Sequence, residues 1–335
     1  MRIGIIGCGA VTQGKHLPSL SCFSDVTLSW LSDLDSKNCK RLAKIYKSQF
    51  IPVNVPIKDR PKIDLLVIAT PYGARKDIYY QLKNIQYQDR PALYIEKPIA
   101  RSLNELQNII SDYKDWQVIV GLQRRALSNV QCAKSLVQSS IFGELEDVSI
   151  TLGTLGRIIT EGGYRGNANL GGGGILMEMG IHYIDSTLFA IEASKAEYLE
   201  GRMKLFEGFD IHTKMKFGIT LKDSTRIPLK ILISSIETKM YDSHCGFIEL
   251  NFTNASVTFD ILGESILKVR PIKKSFKVFE IMAGQEYGPI EEYSLSTHFW
   301  KIALESIKTK TNSYANANQT FLTTKIIEEA FSHAE

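Results

Sequence analysis

Two short segments hold the residue types that could move a proton and steady an oxygen during redox chemistry at a carbon. The first is Glu96-Lys97-Pro98. A proline steers the residue before it into extended geometry, so the Lys97 ammonium points in one direction. An ammonium aimed this way can hydrogen-bond a substrate oxygen and stabilise alkoxide charge as it develops. A plain surface lysine in a turn is the competing reading. The second segment follows the glycines Gly171 to Gly174 and has a helical pattern, in which Glu178, His182 and Asp185 stand at i, i+4 and i+7. At ~100° per residue these three lie within roughly 60° of arc. Ionisable groups set among Ile, Leu and Met are costly unless they face one another or a wet cleft. A carboxylate beside an imidazole fixes its tautomer and suits His182 to general-base work near neutral pH, with Glu178 as its partner. A buried structural histidine is the alternative. Glu and His at this spacing can also chelate, but the sequence offers no further ligands, so no metal site is expected.

A cofactor turn precedes both segments. Gly7-Cys8-Gly9-Ala10-Val11-Thr12 lies between a short apolar run and a helical one. Its first two glycines allow a tight turn and let backbone N–H groups approach a pyrophosphate at a helix N-terminus. The third glycine of the fingerprint is replaced by Thr12. Asp33 ends the next strand-like run, where a carboxylate binds the adenosine ribose hydroxyls and repels a 2′-phosphate. Lys37, Lys40 and Arg41 stand close by. NAD is therefore the expected cofactor, with NADP the alternative. Thr70-Pro71 follows the third strand, at the edge where ligands lie in such folds.

These residues need a scaffold, and the hydrophobic pattern describes one. Arg2–Ile6, Val26–Leu31, Ile63–Ala69, Ala92–Ile95 and Gln117–Val120 are short and apolar, as strands buried on both faces of a parallel sheet are. Amphipathic stretches at Ser36–Tyr46 and Ser102–Tyr113 alternate with them. The expected fold is an α/β Rossmann domain over residues 1–121, followed by an α+β domain with a large open, mainly antiparallel sheet over 122–335. The second domain contributes helices near Asn129–Ser140 and Thr320–His333, and alternating strands around residues 148–152, 215–221, 248–252 and 257–259.

Composition narrows the function class. The chain has 335 residues, 44% hydrophobic and 23% charged, with 40 basic and 36 acidic residues giving a net charge of +4. That charge is too small and too dispersed for nucleic-acid binding. The basic stretch Lys268–Lys277 reads as the wet side of a strand. No apolar run reaches membrane-spanning length. Five scattered cysteines without zinc spacing, and a strand that starts straight after Met1-Arg2, lead to the expectation of a cytoplasmic protein with reduced thiols.

Taken in order, Gly7-Cys8-Gly9-Ala10, His16-Leu17-Pro18, Asp33, Ile68-Ala69-Thr70-Pro71, Glu96-Lys97-Pro98, Gly121-Leu122-Gln123-Arg124-Arg125, Tyr164-Arg165 and Gly172-Gly173-Gly174 running into His182 and Asp185 resemble the Gfo/Idh/MocA oxidoreductases over essentially the whole chain. The resemblance implies hydride exchange between NAD(P) and a sugar, inositol or sugar nucleotide, with Lys97 and His182 at the reacting carbon. It places Gly7 to Val11, Asp33, Thr70, Pro71, Glu96, Lys97 and Gln123 at the cofactor. Lys97, Arg124, Tyr164, Arg165, Asn167, His182 and Asp185 fall at the substrate, and the open sheet serves a homodimer or homotetramer. Glu178, Gln123, Arg75 and Thr12 stand where the family commonly has Asp, Asn, His and Gly. Two other functions would fit the same residues: a regulatory protein that binds dinucleotide or sugar without chemistry, and an NAD-dependent glycosidase.

Overall fold

The computed structural model describes residues 1–153, 167–171, 173–235, 245–262, 265–273, 277–284, 292–311 and 315–335. The chain divides into two units. The first comprises Met1–Ala100, Asn104–Gln123 and Glu291–Gln319, and the second Arg101–Leu103, Arg124–Ile290 and Thr320–Glu335.

In the first unit, β1 (Arg2–Ile6), β2 (Thr27–Ser32), β3 (Gln49–Phe50), β4 (Leu65–Ile68), β5 (Ala92–Ile95) and β6 (Val118–Val120) form a sheet in the order β3-β2-β1-β4-β5-β6. All its pairs are parallel. Ile3, Ile5, Leu65, Leu66, Val67, Ile68, Leu93 and Ile95 are inaccessible. Each such side chain contributes roughly 1.5–3 kcal/mol by leaving water. The helices of this unit are α1 (Leu17–Leu20), α2 (Ser36–Ile45), α3 (Lys76–Lys83) and α4 (Leu103–Asp112). Strand order reverses between β1 and β4, the point at which such sheets hold ligands beyond their carboxyl ends.

A late helix also belongs to this unit, α8 (Glu292–Thr309). The boundary expected at 121/122 assigns it to the second domain. It joins the first because Leu295, Phe299, Trp300, Ala303 and Leu304 form one buried face. Trp300 lies 4.5 Å from the Tyr94 ring of β5, centroid to centroid.

The second unit contains an eight-stranded sheet in the order β14-β13-β12-β11-β7-β10-β9-β8. Its strands are β7 (Leu145–Gly153), β8 (Ala193–Phe206), β9 (Phe209–Leu221), β10 (Arg226–Ser234), β11 (Cys245–Phe252), β12 (Ala255–Phe259), β13 (Ile266–Pro271) and β14 (Phe279–Met282). Every pair is antiparallel except β7 with β10. In β13, Leu267 and Val269 are buried while Lys268 and Arg270 face water, as alternation predicts. Helices α5 (Ser128–Ser139), α6 (Ala168–Gly171), α7 (Ile181–Ala190) and α9 (Phe321–Ser332) complete the unit. Helix α7 is buried almost all round, the state of a helix enclosed in a core. The edge strand β8 is partly covered by the chain end. Glu335 donates its N–H to Met203 C=O at 2.8 Å, and Leu205 N–H reaches Glu335 C=O at 3.2 Å. Among the described residues no helix is long and apolar enough to cross a membrane.

Candidate active site

The cofactor turn is built from backbone. Gly7 has φ +100°, and a Cβ there would lie 2.6 Å from the Ala69 carbonyl carbon, so glycine is required where β1 leaves the sheet beside β4. A Cβ at Gly9 would meet nothing within 4 Å, which leaves room for a phosphate to approach the main chain. Thr12, in place of the third glycine, is buried and donates its hydroxyl to Gly7 C=O at 2.6 Å, bracing the turn. It opens a π-helical turn, Thr12–His16, in the helix that begins at Ala10. Gln13 and Asn38 side chains both donate to Cys8 C=O, at 3.0 and 3.2 Å. Asp33 follows β2, with Oδ2 accepting the Cys8 N–H at 2.5 Å and Oδ1 the Asp35 N–H at 2.7 Å. Asp35 caps α2 by accepting the Asn38 N–H. Arg41, the nearest guanidinium in sequence, donates to Gln13 and Asn38. The buried Thr70 hydroxyl has no hydrogen-bond partner among the described residues. An open main-chain cradle, a carboxylate at the end of β2 and an unpartnered hydroxyl after β4 fit a dinucleotide.

Lys97 leaves the carboxyl end of β5 with a cis peptide to Pro98. Its N–H donates to Glu96 Oε2 at 3.2 Å. Glu96 is 7% exposed, accepts the Tyr94 hydroxyl at 2.9 Å, and faces His16 Nε2 at 3.1 Å. Trp300 Nε1–H donates to His16 Nδ1 at 3.3 Å. An indole is a donor only, so Nδ1 accepts and the ring proton sits on Nε2, toward Glu96. Burial alone would push the Glu96 carboxyl up. The His16 imidazole, the Lys97 charge and the Tyr94 hydroxyl outweigh it and bring the carboxyl to about 2. The sequence marked His16 only as part of a motif and missed Trp300. The signal for Trp300 was the apolar spacing of Leu295, Phe299, Trp300, Ala303 and Leu304.

In the second unit the His182 segment departs from a plain α-helix. Leu176–Gly180 is a second π-helical turn, leading into α7. The ~100° step assumed for Glu178, His182 and Asp185 therefore does not hold across it, and such turns gather at functional sites. Glu178 is half-buried and His182 is 9% exposed. The segment is anchored by Asp210 of β9, which the sequence did not single out. Asp210 Oδ1 accepts the Gly174 N–H at 2.8 Å, and Oδ2 accepts the Leu176 N–H at 2.7 Å. Only glycine fits at 174, since a Cβ would lie 2.1 Å from Asp210 C=O. Burial pushes the Asp210 carboxyl up to about 7 despite those two amides.

Of the expected substrate contacts, Asp185 and Arg124 lie in the interior. Asp185 is 2% exposed and takes a bidentate pair from Arg125 at 2.7 and 2.6 Å, with the Thr323 hydroxyl at 3.1 Å. Its oxygens fix α7 to the residues before α5. Arg124 is buried and donates to Ile261 C=O at 3.0 Å. Asn167 is exposed and caps α6, its Oδ1 accepting the Leu170 N–H. Gln123 is buried at the end of the first unit. Tyr164 and Arg165 lie outside the described residues. Gly7 to Val11, Asp33, Thr70-Pro71 and Glu96-Lys97 thus follow β1, β2, β4 and β5 along one edge of the parallel sheet, while His182, Glu178, Asp185 and Arg124 belong to the second unit.

Comparison with known proteins agrees with the fold and with a nicotinamide cofactor. Residues 1–123 match the Gfo/Idh/MocA model, described as an oxidoreductase family with an NAD-binding Rossmann fold. A dTDP-3,4-didehydro-2,6-dideoxy-alpha-D-glucose 3-reductase from Streptomyces antibioticus is 22% identical over 190 residues, which are 56% of this chain and 56% of that protein. The match thus spans little more than half of that relative. Over whole chains, the fold is shared with a 3-ketoreductase from Actinomadura kijaniata in complex with NADP and TDP-benzene. The TM-score is 0.79 at 10% identity, with 100% of this chain and 98% of that one covered. It is shared equally with a levoglucosan dehydrogenase in complex with NADH, at TM-score 0.80 and 15% identity, covering 99% and 96%. The likeness to the Gfo/Idh/MocA model thus covers residues 1–123, the part that carries the NAD-binding Rossmann fold.

Proposed function

We propose that the protein exchanges hydride between NAD and a CH–OH or C=O carbon of a sugar, with a nucleotide-linked hexose as the first substrate class to test. The observation that carries the reading is the placement of Lys97. It stands at the carboxyl end of β5, its N–H held by Glu96, in the same sheet whose β1 turn and Asp33 suit a dinucleotide. The sugar-nucleotide preference draws on the Streptomyces reductase and on the TDP compound bound by the Actinomadura enzyme.

Gly7 to Val11, Asp33 and Thr70 would hold the dinucleotide, whose nicotinamide would supply or accept the hydride. In the oxidative direction His182 takes the hydroxyl proton, Lys97 holds the oxygen as carbonyl character develops, and Glu178 orients the imidazole. In the reductive direction His182 returns the proton to the same oxygen. Arg124, Tyr164, Arg165 and Asn167 contact sugar hydroxyls or a phosphate. Asp185 acts at one remove, through Arg125. Asp33 favours NAD over NADP by repelling a 2′-phosphate.

Nicotinamide absorbance, followed with dTDP-glucose, UDP-glucose, glucose and myo-inositol, tests the reading. Lys97→Met should lower turnover by ~10²-fold or more with NADH affinity little changed. A Lys97→Met protein as active as its parent would remove Lys97 from the chemistry.

A further inference from the structure

Arg75 stands in the loop after Thr70-Pro71 and is 2% exposed. Its guanidinium is held by main-chain carbonyls. Nε and Nη2 donate to Thr70 C=O at 3.1 and 2.8 Å, and Nη1 donates to both Glu96 C=O and Pro98 C=O at 2.6 Å. The last two carbonyls flank Lys97 on either side. One planar fork therefore orients the peptide before Lys97 and the peptide after Pro98, and ties both to the loop that follows β4. The Lys97 N–H is fixed separately by Glu96 Oε2. With both flanks and the amide held, the side chain of Lys97 starts from a defined point and direction. A buried cation of this kind is costly unless its donors are satisfied, and three carbonyl acceptors supply that satisfaction.

We infer that Arg75 is a positioning residue for Lys97, setting the approach of the ammonium to the substrate oxygen by fixing the main chain on both sides of it. The inference rests on the role of Lys97 proposed above. Catalytic groups are sensitive to such placement, since a shift of about 1 Å can cost ~10²-fold in rate. Lysine at position 75 would keep the charge but not the planar fork, so it would reach fewer of the three carbonyls.

A double-mutant cycle in the full-length protein tests this, with turnover read on NAD and the most active of the four compounds named above. NADH affinity is measured alongside, by fluorescence titration. Arg75→Gln should lower kcat by ~10–100-fold, with KM and NADH affinity changed by less than about threefold, and Arg75→Lys should fall between it and the parent. In the Lys97→Met background the same Arg75→Gln change should cost less than about threefold, because no ammonium is left to position. A role confined to holding the fold would give the same loss in both backgrounds, and that result overturns the inference while leaving the function standing. Unchanged kcat in Arg75→Gln overturns it as well. Should Arg75→Gln not fold, Arg75→Lys is compared in the two backgrounds by the same criterion. A fully active Lys97→Met protein removes the functional reading and this inference together.

Discussion

Glu96 in the first unit and Asp210 in the second are both buried carboxylates beside candidate chemistry, yet their surroundings drive them in opposite directions. Glu96 has the His16 imidazole, the Lys97 charge and the Tyr94 hydroxyl around it, and its carboxyl falls to about 2 against the effect of burial. Asp210 has the N–H groups of Gly174 and Leu176, and burial dominates, raising it to about 7. At Glu96 a neighbouring ammonium and two side-chain donors outweigh the cost of desolvation, whereas at Asp210 two amides do not. The first carboxylate is thus a permanent anion fixing Lys97 and His16. The second is a proton-dependent anchor for the segment leading to His182.

The comparison breaks most visibly in the pH dependence of stability. The Asp210 carboxyl binds its proton more tightly in the folded protein than its ordinary value of 3.8. The stability it contributes is therefore present below about 3.8 and is lost as pH rises toward about 7. The swing is on the order of 4 kcal/mol. Asp210→Asn should flatten the profile of the thermal midpoint between those two values. An unchanged slope would show that the carboxyl is ionised throughout.

Glu96 should behave in the opposite sense. Its stabilisation is present above the ordinary 4.5 and is lost as pH falls toward about 2. Glu96→Gln should therefore cost about 3 kcal/mol in urea unfolding at neutral pH. A loss under roughly 0.5 kcal/mol would mean that Glu96 gains nothing from its charge.

Asp33 gives the smallest effect, and tests whether a carboxylate that holds two backbone amides also selects the cofactor, as proposed. Asp33→Asn keeps an acceptor for the Cys8 N–H but removes the charge proposed to repel a 2′-phosphate. The ratio of NADP to NAD dissociation constants should fall by ~10-fold. An unaltered ratio would locate cofactor choice elsewhere in the chain.

The first unit was largely legible because its signals are local. Short, mainly apolar runs gave β1, β2, β4, β5 and β6 to within a few residues, and glycine spacing gave the turn after β1. What escaped depends on distant partners or on departures from regular geometry. Strand β8 buries only Ala196 and Met203 of fourteen residues, so an alternating pattern never forms. Helix α8 carries a clear apolar face, but nothing nearby in sequence says that it returns to β5. The two π-helical turns, Thr12–His16 and Leu176–Gly180, shift the angular step on which a helical wheel depends. Asp210 is a lone carboxylate on a strand, and its amide partners lie more than thirty residues away. Arg75 was visible only as an unusual residue in its loop, since its partners are carbonyls, which no side-chain motif records.

Hydride transfer itself is tested most directly by isotope. The protein would be incubated with NADH carrying deuterium at C4, on either face, and a keto-sugar nucleotide, and the sugar product examined by mass spectrometry and NMR. Deuterium from one face should appear on a single ring carbon, the one bearing the new hydroxyl. Product whose new C–H hydrogen comes from solvent, or no sugar product alongside demonstrable NADH binding, would contradict the proposed chemistry.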